Sequence, residues 1–131
     1  MKVLLTLYGE ERGPEEFSAE EGESEFAAWQ AFDAAARAAG VLIACEGLAD
    51  SRSATTIRVA GGRRHVTDGP FIETKEQLGG FILLEVRDLD EAMRWAERSP
   101  WNNEGCSTEI RPIMDYEAYG APAPAEEHAA S

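Results

Sequence analysis

The chain has 131 residues, a single domain's worth, and 44% of them are apolar, enough to build a core of ordinary size. Twenty-five acids against 12 Lys plus Arg give a formal charge of −13, a field that repels phosphate backbones and anionic headgroups and so excludes nucleic acid and membrane surfaces as direct partners. The basic pair Arg63 and Arg64 reads as a solvated hairpin tip. No stretch approaches the roughly 20 apolar residues that cross a bilayer, and the apolar start stops at Tyr8, too short for a secretory signal. Cys45 and Cys106 lack any CxxC or Cys-His context, so a cytoplasmic protein with free thiols is expected, with Cys45 as a small core residue.

Residues 2–8 (KVLLTLY) are β-prone, and GEERGPEEF is an acidic loop punctuated by Gly13 and Pro14. Ser18 with Glu21 forms a capping box, and Phe26, Trp29, Phe32, Ala36 and Ala39 recur at helical spacing, which predicts a long helix ending at Gly40. VLIACEGL, 41–48, reads as a strand buried on both faces. TTIRVAGGRRHVTDG then gives two alternating runs around Gly61-Gly62, a hairpin signal because adjacent glycines supply the positive φ of a type I′ turn. After DGPF, Thr74 with Gln77 predicts a single helical turn ended by Gly79-Gly80. FILLEV, 81–86, is a further apolar strand. Asp88 with Glu91 forms a second capping box, opening a helix along Leu89, Ala92, Met93 and Ala96 that closes before Pro100. STEIRPI, 107–113, reads as an edge strand because Pro112 removes a ladder donor. The domain is expected to span 1–115, with 116–131 as a mobile Pro/Ala-rich tail.

The order strand, helix, strand, hairpin, strand, helix, strand predicts an α+β fold, a split βαβ sandwich with an extra β-hairpin and both helices on one face of an antiparallel sheet. Apolar character on both sides of 41–48 and 81–86 leaves the other face in need of cover, and a second copy supplies it most simply, giving a homodimer with a cleft near the strand ends.

The stretch VTDGPFIETKEQLGGFILLEVRDLDEAMRWAERSP, with KVLLTLYG and AAGVLIACEGL, resembles the DGPF branch of the YCII-related family over most of residues 1–115. The resemblance implies a ferredoxin-like fold paired as a dimeric α+β barrel, akin to muconolactone isomerases. It also implies a catalytic dyad of a first-helix His and an Asp, with the Asp at Asp68. The first helix here has no His, and Trp29 stands near that position. The branch's association with extracytoplasmic-function sigma factors implies a regulatory alternative.

Asp68 therefore has two readings. As a turn residue its carboxylate accepts a backbone N–H; as a catalytic group at the mouth of an apolar dimer cleft it moves a proton on a small organic substrate, in isomerase-like or lyase-like chemistry. Tyr8 and Glu46 close adjacent-looking strands and line that cleft if the register turns both inward, and His65 and Phe71 flank Asp68. Glu73, Lys75 and Glu76 form either a solvated helix-capping cluster or a substrate contact, with Lys75 as the local cation an anionic substrate needs. His65 and Asp68 are too few ligands for a metal, and His128 lies in the tail. No GxGxxG, Walker or GxSxG pattern is present, so no cofactor is expected, and Trp29 and Phe32 read as core. The alternative function is a non-catalytic module that senses a ligand or contacts a sigma factor through its acidic face.

Overall fold

The computed structural model describes residues 1–122. Strands β1 (Lys2–Glu10), β2 (Leu42–Gly47), β5 (Glu76–Glu85) and β6 (Ser107–Pro112) form a four-stranded antiparallel sheet in the order β2-β5-β1-β6. Strands β3 (Thr55–Ala60) and β4 (Arg63–Asp68) make a separate two-stranded hairpin, and the helices are α1 (Ala19–Ala38) and α2 (Leu89–Arg98). This is an α+β architecture compatible with a ferredoxin-like plan.

Strand periodicity places the core. Along β1, Val3, Leu5 and Leu7 are buried while Leu4, Thr6 and Tyr8 between them are half-buried, the two-residue alternation of a strand with one covered face. Ile82 and Leu84 of β5 join them, and Phe32, Ala36, Ala92, Trp95 and Ala96 close over the same face from the two helices. Phe32 stacks edge-on with Trp29 of its own helix at 5.8 Å and bridges to α2 through an edge-on contact with Trp95 at 6.0 Å between ring centroids. Val3, Leu5, Ile82 and Leu84 are fully buried, and each contributes roughly 1.5–3 kcal/mol by leaving water. The two central strands therefore carry the fold.

Local chemistry explains the boundaries. Ser18 Oγ accepts the Glu21 N–H at 3.0 Å while Glu21 takes the Ser18 N–H at 3.3 Å, so the expected capping box starts α1. In α2 the Asp88 carboxylate accepts the Glu91 N–H at 2.9 Å, but Glu91 reaches back to the Arg87 N–H at 3.1 Å, one residue earlier than a capping box requires. Gly61 and Gly62 have φ of 60° and 73°, as a type I′ hairpin turn demands. Strand β6 lies at the sheet edge as its Pro112 requires.

Three expectations are corrected. Strand β2 is an edge strand paired only to β5, with Ile43 and Glu46 exposed, so its apolar run does not mean burial on both faces. Strand β5 starts at Glu76, and no helical turn forms at 74–77; Gln77 instead donates its amide to the carbonyls of Ile72 at 2.7 Å and Thr74 at 3.2 Å. Gly79 and Gly80 lie inside the strand, where pairing to β1 outweighs their turn character, and the register shifts between Leu7 and Tyr8. Beyond β6, Tyr116–Tyr119 forms a 3₁₀ turn capped by Asp115; the rest of the expected tail, 123–131 with His128, lies outside the described residues.

Candidate functional site

Gly9, Gly47 and Gly79 put backbone without side chains at one end of strands β1, β2 and β5. Trp101, from the segment between α2 and β6, fills the space beside Gly9 and Gly79. A Cβ on Gly79 would stand 2.8 Å from Trp101 Cη2, and one on Gly9 would stand 3.0 Å from Cζ2, so only glycine lets the indole lie this close to the sheet. The ring is fixed by its Nε1–H, which donates to the Tyr8 carbonyl at 3.0 Å, at the register shift in β1. Ser99, buried at the end of α2, accepts the Trp101 N–H at 3.2 Å and holds the segment's start.

Two cavities share Gly79 and Trp101. The smaller, about 390 Å³, lies between α1 and the sheet and is lined by Leu7, Phe26, Trp29, Gln30, Asp33, Cys45, Glu46 and Gly47 as well. Helical spacing puts Phe26, Trp29 and Asp33 on one face of α1. Phe26 is 65% exposed, a large apolar group left in water at the cavity wall. Trp29 donates its Nε1–H to Glu25 at 3.2 Å, and Asp33 is paired with Arg37 at 2.7 Å.

The larger cavity, about 750 Å³, opens between the β1–α1 loop and residues 101–106. Its acidic lining is Glu10, Glu11, Glu16, Glu25, Asp50 and Glu104, with Phe17, Trp101 and Cys106 among the rest. Arg12 is a lining cation and is already engaged: its guanidinium stands 4.0 Å above the Phe17 ring and donates to the Glu16 carbonyl at 2.7 Å and to Glu21 at 3.2 Å. Glu11 accepts the Ser51 N–H at 2.7 Å and the Ser51 hydroxyl, tying this loop to the turn after β2.

Both thiols are raised, first by burial. Burial pushes Cys45 above the ordinary thiol range, and the carboxylates of Asp33 and Glu46 push it further, against Arg37. Cys106 is raised by burial and by Glu25 and Glu76. Neither is poised as a thiolate nucleophile.

The sequence-expected residues are dispersed. Tyr8 and Glu46 are not on adjacent strands, because β5 runs between β1 and β2; Tyr8 supplies the carbonyl that anchors Trp101, and Glu46 lines the smaller cavity. His65 pairs with Arg58 in the hairpin, and Asp68 with Thr55; both side chains are exposed. Phe71 lies under the Arg58 guanidinium at 5.4 Å, and Lys75 is exposed just before β5. None of His65, Asp68, Phe71 and Lys75 lines either cavity. The DGPF turn is held by the Gly69 N–H to the Ala54 carbonyl at 2.7 Å and by the Thr56 hydroxyl to the Gly69 carbonyl at 2.8 Å, and Gly69 has φ of 113°, which favours glycine there. Among the described residues no cluster of His, Cys, Asp and Glu could hold a metal ion, and no helix is long and apolar enough to cross a membrane.

Sequence reasoning did not single out Trp101, Phe26 or the acidic wall; Trp29, read as core, packs half-buried against the core and lines the smaller cavity as well. The available signal was a glycine near the end of each of three strands, hidden because 76–80 was read as a helical turn and its end.

The model of the YCII-related domain matches residues 1–117. A protein of Rhizobium meliloti (strain 1021), described as uncharacterized, is 36% identical over 117 residues, covering 88% of this chain and 94% of the relative. With the α+β architecture above, these matches establish that the chain belongs to the YCII-related family.

Proposed function

We propose that this protein binds a small organic molecule in the cleft between α1 and the glycine-lined end of the sheet. The observation that carries the reading is Trp101, a hydrogen-bonded indole on the surface shared by two cavities. A concave site with aromatic walls and a few fixed polar groups is the usual form of a small-molecule site. Its lining offers no activated nucleophile, so this reading is the non-catalytic one. Ligand-observed NMR with a fragment mixture tests it: binders should be found, and Trp101→Ala should abolish their binding while the fold is retained. Binders unaffected by Trp101→Ala would overturn it.

A second reading, acid–base chemistry by Asp68 in a homodimer cleft, is favoured by a different observation. The sheet face away from the helices carries half-buried Leu4, Phe81 and Leu83, and the Thr6 hydroxyl there is buried with no hydrogen-bond partner among the described residues. Ile57, Val59, Val66 and Phe71 of the hairpin region are also exposed. A second copy packed on these surfaces would cover them and bring an exposed Asp68 under cover. The two readings place the ligand differently. On the dimer reading Asp68→Asn removes turnover of small lactones or acids, whereas on the cleft reading it leaves fragment binding intact.

A further inference from the structure

We propose that the cleft selects an organic cation, an amine or guanidine carried on an aromatic or aliphatic body, and rejects the corresponding carboxylate. The inference rests on the cleft reading above and adds the charge of the ligand. It starts from the shape and chemistry of the larger cavity, which joins an aromatic surface, Phe17 and Trp101, to a rim of carboxylates. Arg12 is a cation within this lining, and its charge is already met by Glu21. Glu10 and Glu104 are exposed and, among the described residues, have no ion pair or hydrogen bond to their carboxylates. A cationic ligand would therefore meet uncommitted negative charge, and an anionic one would meet repulsion reinforced by the chain's charge of −13.

Two further observations agree with that sign. The cavity wall already holds a guanidinium on an aromatic face, Arg12 at 4.0 Å over Phe17, the kind of pairing that a cationic ligand would make with the Trp101 indole. On the inner side, Cys45 and Cys106 are each raised first by burial and then by neighbouring carboxylates, Asp33 and Glu46 for the one, against Arg37, and Glu25 and Glu76 for the other. The apolar body has a place as well: the smaller cavity, which shares Trp101 and Gly79 with the larger, is walled by Phe26 and Trp29.

The test uses three probes with one body and three charges: 2-phenylethylamine as its ammonium ion, neutral 2-phenylethanol, and phenylacetate. Each is titrated into the full chain at pH 7 while tryptophan fluorescence is followed. The expected order is amine, then alcohol, then carboxylate, with the amine favoured over the alcohol by about tenfold at low salt and the preference shrinking as salt is added. The double variant Glu10→Gln, Glu104→Gln should reduce the amine's advantage and leave the alcohol's affinity unchanged. Equal binding of amine and alcohol, or tighter binding of the carboxylate, would overturn the charge selection while leaving the cleft as a small-molecule site. Failure of all three probes, joined by failure of the neutral fragment screen, would overturn both readings. An amine preference that survives the double variant would contradict the assignment to these carboxylates.

Discussion

Gly79 has no side chain because Trp101 occupies the place where one would go, and that makes the pair a sharp probe of the site. Gly79→Ala puts a Cβ 2.8 Å from the indole, so the ring must shift; a loss of roughly 1–3 kcal/mol is expected in denaturant unfolding, together with a changed tryptophan emission. A neutral substitution with unchanged emission would contradict the packing. The thiols give a second prediction at this scale. Since burial and nearby carboxylates raise Cys45 and Cys106, both should react with iodoacetamide more slowly than free cysteine at pH 7, with rates rising as the pH is raised. A ligand seated in the cleft should slow Cys45 further, which mass spectrometry of the labelled peptide would read.

Among the elements, α1 depends most on a local device. The reciprocal Ser18 and Glu21 bonds should make Ser18→Ala cost about 1 kcal/mol in unfolding experiments. Glu21 is held below the usual carboxylate range by the Ser18 N–H and by Arg12, so its contribution is present above the unfolded-state value and lost as pH falls through the folded one. Glu21→Gln should accordingly flatten the acid side of the stability profile and leave its neutral-to-basic side unchanged in shape. The helices, β1 and the hairpin were legible in the sequence because each is specified within its own residues, by caps, by alternation or by a glycine pair. The start of β5 was not: Thr74, Gln77 and Gly79-Gly80 carry helix-end chemistry, and only pairing with Tyr8, Gly9 and Glu10 makes that segment extended. The edge position of β2 was hidden for the same reason, since strand order is a tertiary property that an apolar run does not encode.

For the molecule as a whole, the site was less legible than the fold. DGPF drew attention to Asp68 through its pattern, while the described cleft is assembled from α1, three strand ends and the segment around Trp101, which are far apart in the chain. The homodimer proposed above makes a prediction at this scale. Light scattering should give twice the chain mass, and Thr6→Val, which replaces by a methyl a hydroxyl with no partner among the described residues, should be tolerated. Phe81→Glu should shift such an assembly toward monomer; an unchanged mass would place the contact elsewhere. Ligand binding in the cleft is read out by a ¹H–¹⁵N NMR titration with a cleft-binding fragment, followed at the three indole N–H signals. Trp29 and Trp101 line the cleft, whereas Trp95 is buried in the core beneath Arg98 and serves as the internal control. A fragment seated in the cleft should move the Trp29 and Trp101 signals while that of Trp95 holds still. Stationary Trp29 and Trp101 signals, with shifts confined to the hairpin and the residues around Asp68, would contradict the cleft reading.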